Sequence, residues 1–222
     1  VAADDPGDNI FLYSGAYTGG FSLLNSQRFL GAGASETLAA MTGLTVQPYS
    51  TALPSTGGTA PTVTSAGNTV TLNVGNHIKG MTLGNASNAD ILGLSFGTLT
   101  VRDVALNGTG RALNLTSGTL DAVFSSISSS TSSSQGVLIQ SVGGSLDAGT
   151  GTTVTDATLT GIYVQSSPAG AVFNFRNTSV TNPDADATGD TCVRLVDNSG
   201  SVTFGTLTLS PETGQRGLYA TH

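Results

Sequence analysis

A strand of three to six residues cannot bury a face by itself, and this chain is built almost wholly from such runs. Residues 69–72, 98–101, 136–139, 161–164 and 202–204 alternate with the period of 2 expected of strands, bounded by Gly, Asn and Ser. They recur. GTLDA at Gly118 and GSLDA at Gly144 lie 26 residues apart, GTLTV precedes them at Gly97, and AGAVFNF around Gly170 and GSVTFG from Gly200 follow. Starts at 97, 118, 144, 170 and 200 are spaced by 21, 26, 26 and 30 residues. A second element accompanies each: GRALNLTS, QGVLIQS, TGIYVQS, CVRLVDN and GLYAT. The variation in length falls in polar stretches such as 125–134 and 181–190. Stacked repeats behave this way, with strands in register and turns absorbing insertions.

Repeats of this size, stacked at the ~4.8 Å spacing of neighbouring strands, predict an all-β right-handed parallel β-helix. This solenoid would have about 20–30 residues per coil. Leu99/Val101, Leu120/Ala122, Leu146/Ala148, Phe173/Phe175 and Val202/Phe204 are expected as one inward column. Val137/Ile139, Ile162/Val164, Val193/Leu195 and Leu218/Ala220 are expected as a second. A two-sheet sandwich explains neither the GxLDA repeat nor the polar inserts. The one helical signal lies near 36–42, with Ser35 as N-cap and a stop near Gly43. The expected organisation is a single domain over 1–222, with loop-bearing N-terminal coils to 67 and regular coils over 68–222. The opening VAADDPGDN reads as the middle of a longer chain.

Composition removes several classes. Thr, Ser and Gly fill two-fifths of the 222 residues and Lys occurs once, which excludes a coiled coil. No apolar run is long enough for a membrane helix. A net charge of −7 has the wrong sign for a nucleic-acid partner. Cys192 is the only cysteine, so no intrachain disulfide forms, and its apolar setting without a neighbouring cation predicts an inert buried thiol. With two histidines, His77 and His222, no Cys/His metal cluster or Ser/His/Asp set is expected. Scarce Lys with abundant Thr, Ser, Gly and Asn suggests an exported protein.

The string GDNIFLYSGAYTGGFSLLNSQRFLGAG, followed by TAPTVT, NTVTL and NHIKGMTLGN, carries a family resemblance. It is similar to the opening coils of right-handed parallel β-helix repeat proteins, found in large bacterial secreted or surface-anchored proteins of autotransporter and adhesin type. The likeness covers about residues 7–96. It implies a parallel β-helix, an extracellular or bacterial cell-surface setting and a longer parent chain. It supplies no catalytic residues. The function it implies is a non-catalytic stalk, spacer or adhesive module whose partner is a glycan or a host or cell-surface protein.

The alternative is a carbohydrate-binding or carbohydrate-active β-helix, which needs converging carboxylates or a base beside them. Arg28, Lys79, Arg102, Arg111, Arg176, Arg194 and Arg216 read as dispersed, about one per coil. Asp121 and Asp147 hold equivalent places in GxLDA, which would set their carboxylates about 5 Å apart across adjacent strands; a solvated repeated turn is the preferred reading. Arg102 and Asp103 read as a surface ion pair or a cross-coil salt bridge rather than a catalytic unit. No phosphate-cradling Gly loop precedes a helix, so GAGAS at 31–35 does not point to nucleotide binding. The tyrosines at 13, 17, 49, 163 and 219 are too scattered for a sugar-stacking platform, and the Thr-x-Thr units reflect β-propensity. The Ser-rich run 125–134 reads as a flexible loop. No catalytic residue or organic cofactor is expected. One cation site is a candidate: in DADATGD, Asp184, Asp186 and Asp190 alternate with Thr188 and Gly189 in the manner of a calcium loop. Leu195 stands where a bidentate Glu would close an EF-hand, so Asn182 or Asp197 would have to complete the site. A solvated acidic turn is the preferred reading there.

Overall fold

The computed structural model describes residues 4–183 and 191–222. They form eighteen strands and one short helix, and every pairing between named strands is parallel. The expectation of an all-β chain with parallel strands holds. The reason is local: period-2 apolar runs separated by turn residues leave each strand one face to bury, and the next repeat supplies a matching one.

The pairing falls into three series. The inward row of the first runs Ile10, Phe29, Ile78, Val101, Ala122, Leu146, Phe173, Val202. The second runs Tyr17, Val63, Leu83, Leu106, Ile127, Thr152, Thr178, Leu207. The third runs Phe21, Val70, Ile91, Leu113, Val137, Ile162, Val193, Leu218. Side chains from all three series meet in one continuous core, which loosens towards Val202, Leu207 and Leu218. The inward threonines do not waste their hydroxyls: Thr152 and Thr178 both donate to the carbonyl of Phe175, at 3.1 and 3.2 Å.

The bends between series are as regular as the strands. Ser95, Ser117, Ser141, Ser166 and Asp197 follow the third series in five successive repeats, with φ of 54, 57, 54, 54 and 51°. A single left-handed residue turns the chain sharply, and a short polar side chain tolerates that conformation better than a branched one. Ser141→Val is therefore expected to cost about 1–2 kcal/mol, whereas Ser141→Gly should match or exceed the wild type in urea unfolding. Equal midpoints for the two variants would refute the conformational argument.

Between Gly31 and Thr62 the chain leaves the rows and makes the helix Leu38–Thr42. Leu38 and Met41 pack on Leu30, Ala34, Phe11 and Leu53 as a second, smaller core on the outward side of the first series. Thr37, not Ser35, caps this helix: its side chain accepts from Ala40 N–H, and Gly43 ends the helix at φ 73°. The Ser35 hydroxyl and N–H are instead taken by the Asp103 carboxylate, at 2.7 and 2.8 Å.

Readings of the repeats change as well. The two GxLDA strings are not equivalent: Ala122 pairs with Leu146, and Asp121 faces Ser145 while Asp147 faces Val123. The offset is two residues, which preserves the inward face, so the Asp121 and Asp147 carboxylates do not pair. The Ser-rich run is largely strand, since Arg111–Ser130 extends into it and Ile127 sits in the second row. Its buried Ser129 donates to the Gly110 carbonyl at 2.6 Å. Arg102 makes a cross-strand salt bridge to Asp121, in keeping with the second of the two readings given for it, and Asp103 takes Ser35 instead.

Candidate functional site

Two outward surfaces concentrate chemistry-bearing side chains. On the first series, Arg28, His77, Thr100 and Asp121 form one row, and Lys79 and Arg102 adjoin in the next. The basic residues at 28, 79 and 102 are thus not dispersed. An insertion separates them in sequence and parallel pairing reunites them. Three cations nearby are paired, and among the described residues Arg28 has no ion-pair partner. Lys79 bonds Glu36 at 3.1 Å, and Arg102 reaches Asp121 at 2.6 Å. Arg176 grips Asp147 with Nε at 2.8 Å and a second, shorter contact through its terminal nitrogen. That grip holds the Asp147 carboxyl below the usual range. Burial, then the charges of Arg28 and Lys79, push His77 down, against a weaker pull from Asp121. The surface is an ion-pair ladder around a neutral imidazole. Its exposed pairs contribute about 0–1 kcal/mol each.

The third series presents a different strip. Its outward rows run Thr71, Leu92, Asn114, Leu138, Tyr163, Arg194, Tyr219 and Leu94, Thr116, Gln140, Gln165, Val196, Thr221. The Arg194 guanidinium lies between two rings, 5.1 Å from the centroid of Tyr163 and 5.6 Å from that of Tyr219. Arg216 sits 5.3 Å from the Tyr219 ring. The Tyr163 hydroxyl donates to Gln165 Oε1 at 2.7 Å, which fixes both side chains. At the other end a cleft of about 240 Å³ is lined by Asn68, Asn88, Leu92, Arg111, Asn114, Ser133 and Ser134. Arg111 is anchored there by Gln135, through its carbonyl at 3.2 Å and its Oε1 at 2.9 Å. Burial holds the Arg111 pKa below its ordinary value.

The tyrosines therefore do gather, in part. Tyr163 and Tyr219 flank one arginine, while Tyr49 is fully exposed elsewhere. A signal for this was present. Aligning TGIYVQS, CVRLVDN and GLYAT on their inward residues places Tyr163, Arg194 and Tyr219 in one row. Cys192 is buried, and burial pushes its thiol up, as an inert position requires. Asp184, Asp186 and Asp190 lie outside the described residues. Among the described residues no group of three or more His, Cys, Asp or Glu is placed to hold a metal ion, and no helix is long and apolar enough to cross a membrane.

No family model, curated protein or solved structure matches this chain.

Proposed function

We propose that this chain is a right-handed parallel β-helix module of a secreted or cell-surface protein, and that it binds a partner without transforming it. Among the roles of stalk, spacer and adhesive segment, adhesion fits best. The observation that carries this reading is the third-series strip. Outward side chains from successive repeats fall into straight rows, so contact groups recur at the ~4.8 Å strand spacing over one unbroken surface. Parallel pairing of three series around one core supports the β-helix. The carboxylates of the first series support binding over catalysis, because Glu36, Asp121 and Asp147 are each engaged by a cation.

The purified chain is expected to be retained on an array of glycans and immobilised surface proteins, and to leave the same polysaccharides uncut in lyase and hydrolase screens. New reducing ends or unsaturated uronate products would overturn this reading and assign an enzyme, with His77 and its basic neighbours as the place to look.

A further inference from the structure

Resting on the adhesive reading, we propose that the third-series strip takes an extended acidic polysaccharide, with Arg194 and Arg216 holding its anionic groups and the tyrosine rings and amides its sugar faces and hydroxyls. Charge is the first argument. The chain carries −7 overall and only seven basic side chains, yet Arg111, Arg194 and Arg216 all belong to this one series. The outward rows of its strands hold no exposed carboxylate, and Asp197, at the bend beyond Val196, forms no ion pair with these arginines. On the first series the cations at 79, 102 and 176 are already neutralised. On the first series Arg28 is left without an ion pair, whereas the third series holds three such cations, so among the described residues it offers an anionic partner the larger set of unmatched positive charge.

The form of the strip argues for a sugar polymer. Arg194 uses its faces on Tyr163 and Tyr219, while its Nε has no hydrogen-bond partner. That Nε is buried, so the terminal nitrogens, which pair with no carboxylate among the described residues, are the donors left for a carboxylate or sulfate. Asn114, Gln140 and Gln165 occupy three successive repeats and offer amide donors and acceptors to hydroxyls. From Asn114 to Tyr219 is four strand steps, roughly 19 Å, which suits a chain of several sugars better than one. Duplex nucleic acid also presents a line of anions, but its outer surface is mostly phosphate and offers the tyrosine rings and amides no exposed hydroxyl-bearing sugar faces.

The test is titration calorimetry of the whole chain with polygalacturonate, heparin, neutral dextran and duplex DNA. The two acidic glycans distinguish carboxylate from sulfate as the anchor. Binding to one or both, with R194Q weakening it about tenfold and R176Q leaving it unchanged, is the expected result. R216Q and Y163A provide the same readout if R194Q melts early. Equal binding of dextran, or equal binding of DNA, would overturn the inference, as would acidic-glycan affinity that R194Q and R216Q leave intact. Retention on immobilised proteins without acidic-glycan binding would defeat this inference and leave the adhesive reading standing. Retention on nothing would defeat both.

Discussion

Asp90→Asn is expected to leave stability unchanged near pH 4 and to raise it progressively towards pH 8. Asp90 is 1% exposed and its Oδ1 has no hydrogen-bond partner. Thr69, one step below it in the pairing of Val70 with Ile91, is equally buried, and its hydroxyl is also unpaired. Burial pushes the Asp90 carboxyl up to about 8, against a smaller opposing effect of the Ala86 N–H. The folded state thus prefers the neutral acid, whereas the unfolded chain ionises near the ordinary value of 3.8. Between those two values the unfolded state binds fewer protons, so stability falls as pH rises, by about 1.4 kcal/mol per unit. The loss is complete above pH 8 and totals on the order of 5 kcal/mol. The amide does not titrate, so the variant escapes the loss. Urea unfolding of both proteins from pH 4 to pH 9 checks this, and parallel curves would show that Asp90 is not buried as an acid.

Phe173→Ala is expected to cost 3–5 kcal/mol, the range for truncating a buried aromatic residue. Phe173 is fully buried between Leu146 and Val202 in the first row. Val202→Ala, one step further along, should cost under about 1.5 kcal/mol because that side chain is only partly covered. The contrast is the informative quantity. If both truncations cost the same, the core does not loosen towards the last strands as the burial of Val202, Leu207 and Leu218 indicates.

What the sequence disclosed depended on whether one motif held both the inward residues and the bend. QGVLIQS, TGIYVQS and CVRLVDN each carry two core positions and the left-handed residue, Ser141, Ser166 or Asp197, so their alignment matches the register. GTLDA and GSLDA misled for a physical reason. A slip of two residues keeps every side chain on its own face, so the apolar pattern cannot tell the alignments apart. Backbone shape decides instead. Gly144 stands opposite Leu120 at φ 82°, where a Cβ would lie 2.0 Å from the Leu120 carbonyl oxygen. The row of Arg28 and His77 was hidden differently, because the segment containing the helix Leu38–Thr42 separates residues that pair directly. The run at 125–134 looked like loop by composition, while Ile127 and the satisfied hydroxyl of Ser129 make much of it strand. The third-series strip was legible in its parts and not as a surface, since membership of a row depends on register.

The rows also govern how such a chain assembles in time. Leu99 meets Leu120, and Val137 meets Ile162, at separations of 21 and 25 residues, and most later partners are similarly near. No strand waits for the far terminus to find it. A seed of two paired repeats offers the next segment a finished template, and growth then costs one short loop closure per addition. The long strands Ala89–Leu106 and Arg111–Ser130, paired along most of their length, are the natural seed. Conformational order then spreads outwards from the middle of the chain in both directions, and it retreats from the ends first when conditions turn denaturing.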